Sequence, residues 1–285
     1  MKKIISVLLT LVLILSLSIE AFADIGPKPS VNINFSGTDG KRYFVTLLSE
    51  KAQYGPWSSG RDWVYDNLSD DEKAVSDLLS EYEDTDGYYF IGNVAECTES
   101  NEYKWTYYPP DPFKILVYFS ESDSYLVSNI YSRYAFDSYY EIDLSKSDAN
   151  TLDVKEKYDY TPEIISLAAR IIATILIELL IAVIFGYREK RLLLFIAAVN
   201  CVTQILLNIT LNFINYKSGS MAFVFFYILL EIAVFAIEAV IYFRFFKKFS
   251  EKEQPKGKTV FYAFLANSVS FAAGLWLSHI IPGIF

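Results

Sequence analysis

Polar and ionisable side chains stand inside stretches that are otherwise almost wholly apolar. The run beginning near Pro162 holds Arg170 and Glu178. The next holds Asn200, Thr203, Gln204, Asn208 and Asn212, a third holds Glu231 and Glu238, and the last holds Asn267, Ser268, Ser270 and the single histidine, His279. Charge in hydrocarbon is costly, so such groups face a bundle interior and count as functional hypotheses by default. Carboxylates with amide oxygens have the chemistry to hold a cation or relay protons. The same inventory also serves as packing, because amide side chains of membrane helices bond across to their neighbours.

Their spacing narrows the reading. Asn200, Gln204, Asn208 and Asn212 recur every four residues, a slowly drifting stripe on one helix face. At about 1.5 Å per residue, Glu178, Asn200 and Asn267 lie at similar depth, and Glu238 is slightly shallower. The expectation is an inner layer to which four helices each bring one polar group. Arg170 and Asn208 fall in an outer layer, with Glu231 between the two and Arg170 as its partner. The candidate site is therefore Arg170, Glu178, Asn200, Gln204, Asn208, Glu231, Glu238 and Asn267. Whether a metal belongs there stays open.

Catalytic signatures are not found. A zinc hydrolase of the H-E-x-x-H type needs two histidines, and the chain has one. There is no G-x-S-x-G turn and no phosphate-cradling glycine loop. A non-enzymatic protein without cofactor is expected, and an intramembrane hydrolase acting through Glu231 or His279 is the most distant reading. Asp84-Thr85-Asp86-Gly87 is similar to the start of a calcium loop. Aligning Gly87 with the loop glycine puts Tyr82 at the first ligand and Asn93 at the last, so a helix exit with an Asp-Gly turn is expected instead. Trp57, Trp63, Trp105, Tyr107 and Tyr108 are either a β core or an exposed aromatic face that grips a sugar or a protein.

The elements that must position these residues divide the chain. Lys2 and Lys3, the apolar run from Ile4 and the Ala21-Phe22-Ala23 site make residues 1–23 a cleavable signal peptide. Four apolar runs, 163–186, 192–214, 221–243 and 259–281, are long enough to cross a hydrocarbon core of about 30 Å. Arg188, Lys190 and Arg191 follow the first run. Arg244, Lys247, Lys248, Lys252, Lys256 and Lys258 follow the third, and only Lys217 follows the second. Positive links belong inside, so the domain before the first helix and the C-terminus are expected outside the cytoplasm. Tyr160, Tyr187, Tyr216, Tyr242 and Trp276 are expected at the membrane interfaces.

Residues 24–145 read as a β-rich exported domain and 146–162 as a polar tether. Strands are predicted over 31–35, 43–48, 88–94, 103–108, 113–119, 125–129 and 139–144, with Asp39-Gly40 as a hairpin turn between the first two. Ser69 to Glu72 matches a capping box before one amphipathic helix. Seven short strands and one helix suggest a sandwich. Residues 24–161 carry about 26 acidic against about 12 basic side chains, within a chain of formal net charge -9. Such a surface argues against nucleic acid. Cys97 and Cys201, one in each half, are not expected to pair.

The segments Asp24-Ile25-Gly26-Pro27-Lys28-Pro29-Ser30 and Tyr134-Ala135-Phe136-Asp137-Ser138-Tyr139-Tyr140, with Asn200, Thr203, Asn208, Glu231 and Glu238, carry a resemblance. The chain resembles a family of membrane proteins of clostridial-type Gram-positive bacteria, to which no activity attaches. The resemblance implies a bacterial surface location. Three expectations stand. The first is a surface protein whose exported domain binds or senses an extracellular factor, and whose bundle anchors it in the lipid bilayer and couples to a partner, either a membrane or cell-envelope protein or a further copy of the chain in a homo-oligomer. The second is an ion- or proton-coupled transport protein. The third is the hydrolase.

Overall fold

The computed structural model describes residues 26–58, 62–147 and 151–280. The expected signal peptide, residues 281–285 and the side chains of Trp63 and His279 lie outside the described residues. The elements run β1 (Ser30–Ser36), β2 (Tyr43–Ser49), β3 (Gln53–Tyr54), β4 (Trp57–Ser58), α1 (Asp62–Tyr65), α2 (Asp70–Ser80), β5 (Tyr89–Glu96), β6 (Glu102–Trp105), β7 (Phe113–Phe119), β8 (Ser124–Val127), β9 (Asp137–Asp143), β10 (Val154–Glu156), α3 (Thr161–Ile184), α4 (Lys190–Phe249) and α5 (Lys256–Ile280).

The first part is mainly β. One sheet has the order β10-β9-β1-β6, a second has β5-β2-β7-β8, and β3 and β4 form a small hairpin. Alternate residues of both larger sheets, among them Val31, Ile33, Val45, Leu47, Ile115, Val117, Tyr140 and Ile142, bury into one shared core. Strand β2 is buried along its whole length. Its other face, with Phe44 and Leu48, packs with Leu116 and Tyr118 against Val75 and Leu79 of α2. A strand covered on both faces loses the alternating pattern and reads as a continuous apolar run. Helix α2 begins where the capping box was expected: Glu72 N donates to Ser69 Oγ at 3.3 Å, and Ser69 N donates to Glu72 Oε2 at 2.9 Å.

Two expectations fail in this region. Strands β1 and β2 do not form a hairpin. β1 pairs in parallel with β9 and antiparallel with β6, and β2 pairs with β5 and β7. The Asp39-Gly40 turn, with both residues at positive φ, instead carries the chain from one sheet to the other. The turn chemistry was legible, but strand partners are chosen by which apolar faces fit together. Nor is the stretch 146–162 a free tether, because β10 within it pairs antiparallel with β9.

Among the described residues, three helices, not four, come next, each long and apolar enough to cross a membrane. Helix α3 starts on Pro162 in its first turn, where a missing N–H costs nothing. It stops at Gly186, whose φ of 84° closes a two-bond cap: Tyr187 N donates to the Ala182 carbonyl and Gly186 N to the Val183 carbonyl. The second and third expected helices are two arms of the 60-residue α4, broken only at Gly219 (φ 81°, ψ 177°). A straight helix would hold Thr203 and Glu238 about 50 Å apart, yet their side chains are hydrogen bonded. The arms therefore lie side by side and antiparallel. One glycine at positive φ reverses the chain without a loop, within the short polar link that separates the two apolar runs.

Candidate functional site

Each helical segment brings a group to one buried layer. Glu178 comes from α3, Asn200 and Thr203 from the first arm of α4, Glu238 and Tyr242 from its second arm, and Asn267 from α5. Asn200 Nδ2 donates to Glu178 Oε2 at 2.6 Å, to the Ile196 carbonyl at 3.1 Å and towards the Tyr242 hydroxyl at 3.0 Å. Thr203 Oγ1 donates to Glu238 Oε1 at 2.6 Å, and Asn267 Nδ2 donates to Glu238 Oε2 at 2.8 Å and to the Ala263 carbonyl at 3.0 Å. The Tyr262 hydroxyl donates to the Glu178 carbonyl at 3.3 Å. Glu178, Asn200 and Glu238 are fully buried, and Asn267 nearly so.

Three oxygens in this layer have no hydrogen-bond donor among the described residues: Glu178 Oε1, Asn200 Oδ1 and Asn267 Oδ1. The amide orientations are dictated, because each nitrogen already faces a main-chain carbonyl. Buried acceptors without donors cost free energy unless something fills the gap. Among the described residues, no three His, Cys, Asp or Glu converge. A metal here would draw on amide and hydroxyl oxygens beside the two carboxylates.

The remaining predicted residues form a neighbouring group. Arg170 Nη1 donates to Asn208 Oδ1 at 3.2 Å, and its guanidinium lies over the rings of Phe223 and Tyr227. Asn208 Nδ2 donates to the Gln204 carbonyl at 2.8 Å and towards Gln204 Oε1 at 3.3 Å. Arg170, Gln204, Asn208, Tyr227 and Glu231 line one cavity of about 210 Å³. Tyr187 and Tyr242, expected at the membrane interfaces, are instead buried, packed with Phe246 and Tyr262. Tyr160 and Trp276 do remain exposed.

A second site was not foreseen. Where the β region meets the helices, a pocket of about 220 Å³ is walled by Asp137, Tyr139, Tyr158, Glu163, Asn212 and Tyr216, among others. The Tyr158 hydroxyl donates to Glu163 Oε1 at 2.6 Å, while Glu163 Oε2 is buried without a donor among the described residues. The Tyr139 and Tyr216 rings both meet the Tyr158 ring edge-on. Burial pushes the Tyr139 and Tyr158 hydroxyls above the usual phenol range, and neighbouring carboxylates add to it. Asn212, Tyr216, Asp137 and Tyr139 were each singled out in the sequence, but nothing there joined them to Tyr158 and Glu163.

The Asp84 turn holds a side chain. Lys114 Nζ reaches Asp84 Oδ1 at 2.7 Å and Asp86 Oδ2 at 2.9 Å, and both Lys114 and Asp84 are buried. Trp57 and Trp105 belong to the core and pack edge to face, with both indole N–H groups donating to the Tyr107 carbonyl. Tyr107 and Tyr108 are exposed. Cys97 and Cys201 are both free.

No protein-family model matches the chain, nor does any curated protein or solved structure.

Proposed function

We propose that the chain is a multi-pass surface protein of a cell membrane, with its β domain outside the cytoplasm, sensing an extracellular factor and passing the event to its helical bundle. The antiparallel arms of α4 support four crossings in this reading. The basic links support this orientation. The link after α3 and the link after α4 meet at one end of the bundle, where Glu189 accepts from Ser250 Oγ at 3.2 Å and from Glu251 N at 2.6 Å. The β domain sits at the other end, and positive links belong inside.

The observation that carries the coupling is the docking of the β domain on the reversal of α4. Phe136 N donates to the Tyr216 carbonyl at 2.8 Å, Lys217 Nζ donates to the Tyr134 carbonyl at 3.1 Å, and the Phe136 ring covers Gly219. Both arms hinge on this point, and both reach the buried layer. A displacement of the 134–136 loop therefore acts on Asn200 and Glu238 through two rigid helices. Hydrogen exchange of the full-length protein in lipid nanodiscs tests it. Phe136→Ala should speed exchange in 196–204 and 234–242 as well as around Gly219. A change confined to 212–222 would refute the coupling.

The three unpartnered oxygens of the buried layer favour a second reading, in which the bundle binds and conducts a cation. Its test is thermal stability in nanodiscs across sodium, potassium, calcium and magnesium and across pH, for wild type, Glu178→Gln and Glu238→Gln. Ion-dependent stabilisation lost in both variants supports this reading. Equal responses in all three proteins, together with no flux in liposomes, refute it.

A further inference from the structure

The pocket between the β domain and the helices has a chemistry of its own. Its wall has two carboxylates, Asp137 and Glu163, and three tyrosine rings, Tyr139, Tyr158 and Tyr216. Tyr158 is the hub: its ring centroid lies 5.9 Å from that of Tyr139 at 75° and 5.1 Å from that of Tyr216 at 72°. Ring faces carry partial negative charge and attract cations.

The carboxylates are partly committed and partly open. Asp137 Oδ1 accepts from Ser30 Oγ at 2.5 Å. Glu163 Oε1 accepts from Tyr158, and its buried Oε2 accepts from no described residue. Among the described residues, no Lys or Arg lines the pocket. Lys217 donates to the Tyr134 carbonyl and lies over the Tyr216 ring, and Arg170 donates to Asn208. Two carboxylates and three tyrosine rings therefore wall a pocket with no lysine or arginine among its described lining residues, and one carboxylate oxygen beside it lacks a donor among the described residues.

A second, mostly apolar groove of about 470 Å³ adjoins it, sharing Tyr158, Glu163, Asn212 and Tyr216 and continuing along Ile164, Leu167 and Phe213. A polar pocket that opens into an apolar groove along a helix suits a charged head with a hydrocarbon tail.

We propose that this pocket binds an alkylated ammonium group, either a free solute or the headgroup of a lipid whose chain follows Ile164, Leu167 and Phe213. The inference rests on the sensing reading above and names the chemistry of the factor. The charge sits against Glu163 and Asp137, and the alkyl groups pack on the three tyrosine rings. Occupancy would brace Asp137, next to the docked Phe136, against Glu163 on the first turn of α3.

The test is a titration of the full-length protein in phosphatidylglycerol nanodiscs with tetramethylammonium, followed by tyrosine fluorescence and calorimetry. Saturable binding is expected, weakened at least about tenfold by Glu163→Gln and also weakened by Asp137→Asn. The second substitution guards against a folding defect in the first. The uncharged isostere 3,3-dimethylbutan-1-ol should bind far more weakly. Repeating the titration in discs that are half phosphatidylcholine separates the sources: competition assigns the site to a lipid headgroup, and an unchanged curve assigns it to a free solute. No saturable binding, equal binding of the uncharged isostere, or an affinity indifferent to both substitutions would overturn the proposal. Failure here with intact exchange coupling in Phe136→Ala would leave the sensing reading standing.

Discussion

The ring of Phe136 occupies the place where a side chain at position 219 would begin: a β-carbon built on Gly219 would lie 2.6 Å from Phe136 Cε1. The same glycine has a φ of 81°. Two independent constraints, steric and conformational, thus meet at the point where α4 reverses. Gly219→Ala is expected to destabilise by about 2–3 kcal/mol and to loosen the β domain from the helices. Gly257, in the first turn of α5, has nothing within 4 Å of a built β-carbon and no positive φ. Gly257→Ala should be neutral or stabilise by up to about 1 kcal/mol. Thermal unfolding of both variants in the same nanodiscs checks the contrast.

Lys114 anchors the acidic turn to the helix-covered face of the second sheet. Lys114→Met leaves the buried Asp84 carboxylate without its counter-ion, at an expected cost of about 3–5 kcal/mol. The double variant Lys114→Met with Asp84→Asn should recover a good part of it. Burial lowers the Lys114 amine, but hydrogen bonds to Asp84 and Asp86 outweigh it and leave the amine above its ordinary range. Because the folded value is raised, the pair's stabilisation is full below the unfolded amine's pKa and is lost as pH rises through the folded one. The stability gap between wild type and Lys114→Met should therefore narrow in strongly alkaline solution.

In the buried layer, Asn200→Ala removes the donor to Glu178 Oε2 and should cost about 1–3 kcal/mol. Replacing the pair together, Asn200→Leu with Glu178→Leu, should be close to neutral if the layer only packs. Loss of ion or coupling behaviour in a stable double variant would separate function from packing, and unfolding and flux measured on one preparation decide it.

Burial pushes the Cys97 thiol up to about 12, with Glu72 and Glu96 adding to the effect. Its thiolate is the reactive form. Cys97 is therefore expected to resist maleimide at neutral pH in the folded protein and to label fully in denaturant. Peptide mass spectrometry distinguishes it from Cys201, and rapid native labelling of Cys97 would contradict its placement in the core.

The local signals were readable in particular residues. Ser69 and Glu72 announced the start of α2, Val31, Ile33 and Phe35 announced β1 by alternation, and the four-residue spacing from Asn200 to Asn208 marked the buried face of α4. The pairing of β1 with β9 was not readable, because strands about a hundred residues apart share no local code. The break between the runs 192–214 and 221–243 was readable, but not that Gly219 alone makes the reversal with helix on both sides of it, because a single residue's φ depends on what packs against it. The junction pocket was missed for the same reason as the β1–β9 pair: Asp137, Glu163 and Tyr216 are far apart in the chain and meet only when the β region docks.

Periodicity and composition, both properties of the sequence by itself, determined a mainly β first part, long apolar helices, the capping box, and the depth at which Glu178, Asn200, Glu238 and Asn267 sit along their helices. These depend on near neighbours and on the fixed rise of a helix. The tertiary structure alone decided partners: which sheet each strand joins, that Lys114 fills the Asp84 turn, that Tyr187 and Tyr242 turn inward, and that three tyrosines and two carboxylates close around one space. Partner choice is set by the packing of whole faces, a long-range balance of burial and hydrogen bonding that no short stretch of sequence encodes.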